Sequence, residues 1–385
     1  MKRRVLYLMV SLGNAGPAAQ VAHLATGLDR ERYEALVCCC DAASTPAAPV
    51  LRRLRDHGVP VHRLEMRGPL DLRGLGRLVR LLHRERVDIL HTRLPRANFY
   101  GKLAGRWARV PLVVSNISSM YSNHFRSLHG RIRGPLFRWL EETTAALSDV
   151  IVTNSDGVAR DLAARRRAGR VPVLRIHNGV DSDRYKQARA TGAATREELG
   201  IGSEHLVVGT VCRLVPLKHV DDLLRAAAVV RRDRPGLRLV VVGDGPQRAV
   251  LEAEAERLGL RGAARFLGER ADIPELLAAM DVFVHPSESE GHPNAVLEAM
   301  ASGLPVIAAA IPGVDELVRD GETGVLVPPG DPAELARAIG ALLDRPDLAG
   351  ELGLAGQALI ARQFDVTTMV WRFEEVYEQY FPGRR

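Results

Sequence analysis

Short apolar runs rich in β-branched residues alternate with helical patterns along the whole of this 385-residue chain. In the first half the runs fall at residues 5–10, 36–40, 88–91, 112–115, 150–153 and 173–177. In the second half they fall at 206–211, 237–242, 265–267, 281–285, 305–308 and 324–327. Strands that alternate strictly with helices form parallel sheets covered by helices on both faces. Six strands per half therefore predict an α/β protein built from two doubly wound, Rossmann-like domains. The length allows each domain its own core. The stretch 181–202 is polar and rich in Ala, Gly and Arg, which suits a linker. The expected division is a first domain at 1–180, that linker, a second domain at 203–365 and a closing segment at 366–385. Within the last segment an amphipathic helix is expected, with Val370, Trp371, Phe373, Val376 and Tyr377 on or near its apolar side.

With 46% hydrophobic and 26% charged residues, the composition is that of an ordinary soluble protein. No apolar run approaches the length of a membrane span. The start, MKRRVLYLMV, has the basic and then apolar order of a signal peptide, or it is a first strand leading into the loop around Gly13 and Gly16. The strand is preferred, because a helical pattern follows and no small-residue cleavage site precedes it. A cytoplasmic protein is then expected. Cys38, Cys39 and Cys40 are adjacent in a strand-like run. Neighbouring strand side chains face opposite ways, so these read as reduced core cysteines rather than a disulfide or metal framework.

The formal charge of +7 hides an asymmetry: residues 1–180 carry +16 and residues 181–385 carry −9. A basic front half suits an anionic partner such as a membrane surface, nucleic acid or an acidic acceptor. The chain has 49 arginines and four lysines, so part of the excess is a bias toward Arg. That bias leaves the scarcity of acids in the first half unexplained. The stretch 125–140 mixes Phe, Leu, Ile and Trp with four arginines, as a membrane-surface segment would; core packing is the alternative. No recognised nucleic-acid module is present, and no nucleic-acid partner is expected.

The densest chemistry lies in Glu290-Gly291-His292-Pro293-Asn294-Ala-Val-Leu-Glu298, just past the apolar run 281–285. Open α/β sheets bind ligands at the carboxyl ends of their strands. Pro293 suits the first turn of a helix, whose free N–H groups and dipole favour a diphosphate. Asn294 and Glu298 share a helix face. An ionised Glu298 accepts hydrogen bonds from two neighbouring hydroxyls, as a ribose offers. The alternative is a capped amphipathic helix with solvated glutamates. After the run 206–211 come Arg213 and Lys218, a guanidinium fork and a point charge that would stabilise a departing diphosphate.

The string EGHPNAVLEAMASGLPVIA resembles the retaining glycosyltransferases of family 4, which have the GT-B fold of two Rossmann-like domains facing a central cleft. The resemblance covers nearly the whole chain and is specific in the second half, diffuse in the first. It matches Cys212-Arg213-Leu214 followed by Lys218 to the family's G-R-L and lysine, with Cys212 in place of glycine. Asn178-Gly179-Val180-Asp181 matches the interdomain N-G-V-D, which argues against a metal site at Asp181-Ser182-Asp183. Arg265-Phe266-Leu267-Gly268 resembles the strand end that abuts the nucleotide base. Gly243-Asp244-Gly245 resembles a turn near the donor pocket.

The resemblance implies a retaining, metal-independent transferase without a cofactor. Its co-substrate would be a nucleoside-diphosphate sugar, UDP- or GDP-hexose. Arg213, Lys218 and Glu290 would be its catalytic residues; Gly291, His292, Pro293, Asn294, Glu298, Phe266 and Leu267 would bind the donor. The acceptor side would be the first domain, at Gly13, Gly16, His91 and His124, although each histidine also reads as an ordinary polar residue. His91-Thr92-Arg93 departs from the family's H-x-H at Arg93. The acceptor would be a glycan or lipid-linked hydroxyl in cell-surface polysaccharide or glycolipid synthesis. A catalytically silent scaffold and a nucleotide-sugar epimerase on the same fold are the alternatives.

Overall fold

The computed structural model describes residues 2–13, 16–41, 49–66, 71–120, 139–140, 142–164 and 171–382. The chain divides into two compact units, Met1–Gly179 with Val366–Arg385, and Val180–Asp365.

Among its described residues the first unit holds seven strands: β1 (Arg3–Met9), β2 (Tyr33–Cys39), β3 (Val61–Arg63), β4 (Ile89–Arg93), β5 (Leu112–Ile117), β6 (Val150–Thr153) and β7 (Val173–Arg175). All neighbours pair in parallel, in the order β3-β2-β1-β4-β5-β6-β7. The strand β3 has no counterpart in the sequence reading. Of its three residues only Val61 is apolar, because an edge strand buries little. Along β1 the side chains alternate between two cores. Val5, Tyr7 and Met9 join one; Leu6 and Leu8 join the other. The cysteine triplet splits the same way, with Cys39 on one face and Cys38 and Cys40 on the other. All three are free and buried, and burial pushes the thiols of Cys39 and Cys40 up to about 12. They are inert core residues.

The Val366–Tyr380 helix belongs to this first unit. Met369, Val370, Phe373, Val376 and Tyr377 recur every three or four positions and enter the core beside Tyr7. Each such side chain contributes roughly 1.5–3 kcal/mol when buried. Trp371, expected near that apolar side, lies about a quarter-turn round from Val370 and is 57% exposed.

The second unit holds β8 (Leu206–Val211), β9 (Leu237–Val242), β10 (Ala264–Gly268), β11 (Val282–His285), β12 (Val306–Ala309) and β13 (Val325–Val327). They form a second parallel sheet in the order β10-β9-β8-β11-β12-β13. The stretch read as a linker is not loose. It forms the helices Ser182–Ala188 and Gly192–Glu198 of this unit, burying Tyr185, Ala188, Leu199 and Ile201. Its polar composition reflects the outward faces of two short helices. Val180 pairs with Asp365, so the chain enters and leaves this unit at adjacent positions.

Both sheets change winding direction once: between β1 and β4 in the first, between β8 and β11 in the second. The loops leaving two such strands part and open a crevice, the usual ligand position in an open α/β sheet.

Candidate functional site

In the second unit the two diverging loops are those after β8 and β11, and they carry the residues expected to hold a donor. The first loop is seated by backbone. Cys212 N–H donates to Val242 O at 3.0 Å, Leu214 N–H to Asp244 O at 2.9 Å, and Gln247 N–H to Leu214 O at 3.1 Å. Glycines make this approach feasible. A Cβ on Gly243 would stand 1.9 Å from Cys212 O, and one on Gly245 would stand 2.3 Å from Leu214 O. Gly243 also needs its φ of +125°. The G-D-G turn is thus a cradle for the Arg213 loop. Arg213 itself is exposed and forms no side-chain hydrogen bond or ion pair among the described residues.

Past Arg213, a short 3-10 turn, Pro216–Lys218, aims Lys218 at the other loop, where it forms an ion pair with Glu290. The same oxygen, Glu290 Oε1, lies 2.8 Å from His285 Nε2 at the end of β11. Burial opposes the Glu290 charge, but the Lys218 ammonium and the His285 ring hold its carboxyl well below the usual range. Burial likewise opposes the Lys218 charge, and Glu290 outweighs it, so the ammonium is raised above its ordinary value. Cys212 is close by; burial pushes its thiol up to about 11 against the pull of Lys218, which leaves it unreactive at neutral pH.

The Asn294–Ala301 helix begins one residue later than the sequence suggested. Pro293 is its cap, at φ −73° and ψ 116°, and its carbonyl accepts the first helical bond, from Leu297 N–H at 3.2 Å. The amides of Ala295 and Val296 belong to the first turn, which a helix leaves without internal acceptors. Glu298 sits one turn on, partly exposed. Burial pushes its carboxyl up to about 7, against a hydrogen bond from Tyr185 and the charge of Arg184. Tyr185 and Arg184 come from the Ser182–Ala188 helix, inside the supposed linker.

Gly313, after β12, was not foreseen. At φ +87° its missing Cβ lets it lie against the Glu290 turn: a Cβ would stand 2.0 Å from Gly291 O. His219 and His285 were also missed. His285 is apolar-flanked on β11, and its bond to Glu290 is visible only in three dimensions. His219 and Asp222 do carry a sequence signal, the i,i+3 spacing at a helix start.

Of the other expected residues, His91 is the one the structure contradicts. His292 is buried with its ring 5.5 Å from that of Phe364. Phe266 and Leu267, at the end of β10, are partly buried against different cores on opposite faces of the sheet. His91, expected on the acceptor side, is 2% exposed, with Nδ1 2.7 Å from Tyr377 Oη and its ring against Tyr7 and Phe373. Burial, with Arg93 adding to it, lowers its pKa to about 3, so it is a neutral core histidine. A Cβ on Gly13 would meet nothing within 4 Å, and Gly16 opens the Gly16–Gly27 helix. His124, and most of the stretch 125–140, lie outside the described residues.

The model of the family "Glycosyl transferases group 1" matches residues 193–358, and that of "Glycosyltransferase Family 4" matches residues 15–184. Among curated relatives, a D-inositol 3-phosphate glycosyltransferase of Streptomyces scabiei (strain 87.22) is 34% identical, over 75% of this chain and 67% of that protein. An alpha-D-kanosaminyltransferase of Streptomyces kanamyceticus is 31% identical over 74% of each. Crystal structures of Anabaena Alr3699/HepE match 98% of this chain. The one in complex with UDP and glucose has a TM-score of 0.85 at 26% identity and is covered over 100% of its length. The one with UDP-glucose has a TM-score of 0.82 at 28% identity and is covered over 99%.

Proposed function

The chain belongs to glycosyltransferase family 4, with the GT-B fold, and from that premise we propose that it is a retaining transferase moving a hexose from a UDP-sugar to an acceptor hydroxyl. The observation that carries this reading is the meeting of Lys218, Glu290 and the Asn294–Ala301 helix start across the β8/β11 crevice. UDP is favoured as the donor nucleotide because the Anabaena structures hold UDP and UDP-glucose.

Arg213 and Lys218 hold the diphosphate. Arg213 is uncommitted among the described residues; Lys218 spends one of three N–H donors on Glu290 and keeps two for phosphate oxygens. The amides of Ala295 and Val296 add the partial positive charge of a helix start. Glu298 receives the ribose hydroxyls. Glu290, with Gly291, Pro293 and Asn294, positions the sugar. In the transfer step the bond from the anomeric carbon to the diphosphate oxygen breaks. The acceptor oxygen bonds to that carbon on the same face, and its proton passes to the departing diphosphate. The fixed cations Arg213 and Lys218 offset the growing negative charge, so no metal is required. Transfer should persist in EDTA.

The first unit takes the acceptor. Its exposed Leu72, Trp107 and Trp139, with exposed Arg73, Arg80 and Arg84, suit peripheral contact with an anionic membrane and hence a lipid-linked acceptor in polysaccharide or glycolipid assembly. No helix among the described residues is long and apolar enough to cross a membrane. Thermal unfolding with saturating UDP, GDP, ADP and TDP, each in turn, tests the donor assignment. A ligand at a hundred times its Kd adds roughly 2.7 kcal/mol to the folded state. A shift with UDP supports the reading; no shift with any of the four sinks it.

A further inference from the structure

His219 follows Lys218 and sits at φ 48°, ψ 40°, the left-handed region. Glycine takes that conformation freely, whereas a residue with a Cβ is strained there. Strain of this kind persists where the surrounding structure uses the side chain. Here the ring is gripped from two elements. Nδ1 lies 2.9 Å from Asp222 Oδ2, in the Val220–Asp233 helix. Nε2 lies 3.0 Å from Glu288 Oε2, on the loop after β11. A carboxylate only accepts, and a neutral imidazole has a single N–H, so only the imidazolium donates to both. Asp221 lies in the same cluster, and Arg225 pairs with both Asp221 and Asp222. Beside the ring, Glu288 N–H donates to Leu217 O at 3.1 Å. One residue before His219, Lys218 meets Glu290, which lies two residues beyond Glu288.

We propose that His219 is a positioning residue for the donor diphosphate: as an imidazolium it ties the loop after β8 to the loop after β11 and keeps Lys218 and Glu290 facing one another. His219 need not touch the donor, and the inference rests on the donor-site reading above. Burial works against the charged ring, the two acids outweigh it, and its pKa is raised above the ordinary histidine value. A raised histidine holds its tie fully below the ordinary value and loses it as pH rises through its own raised value. Glu298 acts in the opposite sense, because a ribose binds its ionised form better. Nucleotide affinity therefore passes through a maximum, with Glu298 setting the acid limb and His219 the alkaline limb.

The test is His219→Gly, which grants the backbone its preferred residue and removes only the ring. UDP and GDP binding is measured from pH 6 to 9.5, together with hydrogen exchange of peptides spanning 286–291. The expected result has three parts: a melting point equal to or above that of the unaltered protein, faster exchange in 286–291, and roughly tenfold weaker binding at pH 7, about one charge-assisted hydrogen bond. The alkaline limb should disappear while the acid limb stays. Equal affinity with an unchanged pH profile overturns the proposal. If the unaltered protein binds neither nucleotide and His219→Gly still speeds exchange, the donor reading has failed, and with it any role of His219 beyond holding two loops together.

Discussion

The two units share a strand order around their switch points, yet the two crevices differ. Where β8 and β11 part, charged side chains from separate loops meet: Lys218, Glu290, His219 and Glu288. In the first unit, β1 and β4 set Tyr7 and His91 side by side within the sheet, short of the strand ends, and Tyr377 of the last helix makes a hydrogen bond to each. One pair of neighbouring strands leads into charged loops; the other carries a packed aromatic cluster on its face. Topology supplies the crevice; loop chemistry decides whether a ligand has anything to bind.

The comparison breaks most sharply at Lys218. Lys218→Ala leaves Glu290 with His285 alone among the described residues, and losing one partner of a largely buried pair costs about 3 kcal/mol. Transfer should fall at least about a hundredfold from the lost charge beside the diphosphate. The double variant Lys218→Ala/Glu290→Gln should recover most of the melting point and none of the activity. If the double variant transfers sugar, the cation is not part of the site.

Glycines give the next contrast. Gly313→Ala must push a Cβ against Gly291 O in a left-handed backbone, so the Glu290 turn shifts. We expect nucleotide affinity to drop, because the displaced turn no longer meets the donor in the same geometry, and transfer to slow about a hundredfold. Gly13→Ala, in the loop after β1, meets nothing within 4 Å and should leave binding unchanged. Isothermal titration with UDP compares the pair, and equal effects would remove the distinction between the two crevices.

Glu298 predicts a pH dependence. Its folded-state value of about 7 lies above the ordinary carboxyl value, so between the two the folded chain holds the extra proton. Stability from this group is therefore lost as pH rises across that window. Glu298→Gln should flatten the fall in melting point between about pH 4.5 and 7. It should also remove the rise in nucleotide affinity through neutrality. A Glu298→Gln profile parallel to that of the unaltered protein would contradict the assignment.

The smallest effect belongs to the first unit. Tyr377→Phe removes the hydroxyl shared by His91 and Tyr7, and should lower stability by about 1 kcal/mol. UDP affinity should not change; a large change there would couple the first unit's core to the donor site.

The sheets were legible because their strands are apolar and bounded by clear turns; only Val61–Arg63 escaped, being short and half polar. The donor loop was legible because Glu290, Pro293, Asn294 and Glu298 are contiguous enough for one helix start to relate them. What escaped is pairing across the chain. Tyr185 reaches Glu298 from a stretch that reads as a linker, Gly313 touches Gly291 across the loop, and His219 meets Glu288 from another strand end. The histidines misled for a related reason. A lone His91 looks alike in sequence whether it faces a cleft or, as here, a tyrosine from a helix 286 residues away.

The most direct measurement is hydrogen–deuterium exchange with and without saturating UDP. Protection is expected in peptides covering 212–219 and 287–298, with no change around 89–95. Protection confined to the first unit, or none anywhere with UDP demonstrably bound, would contradict it.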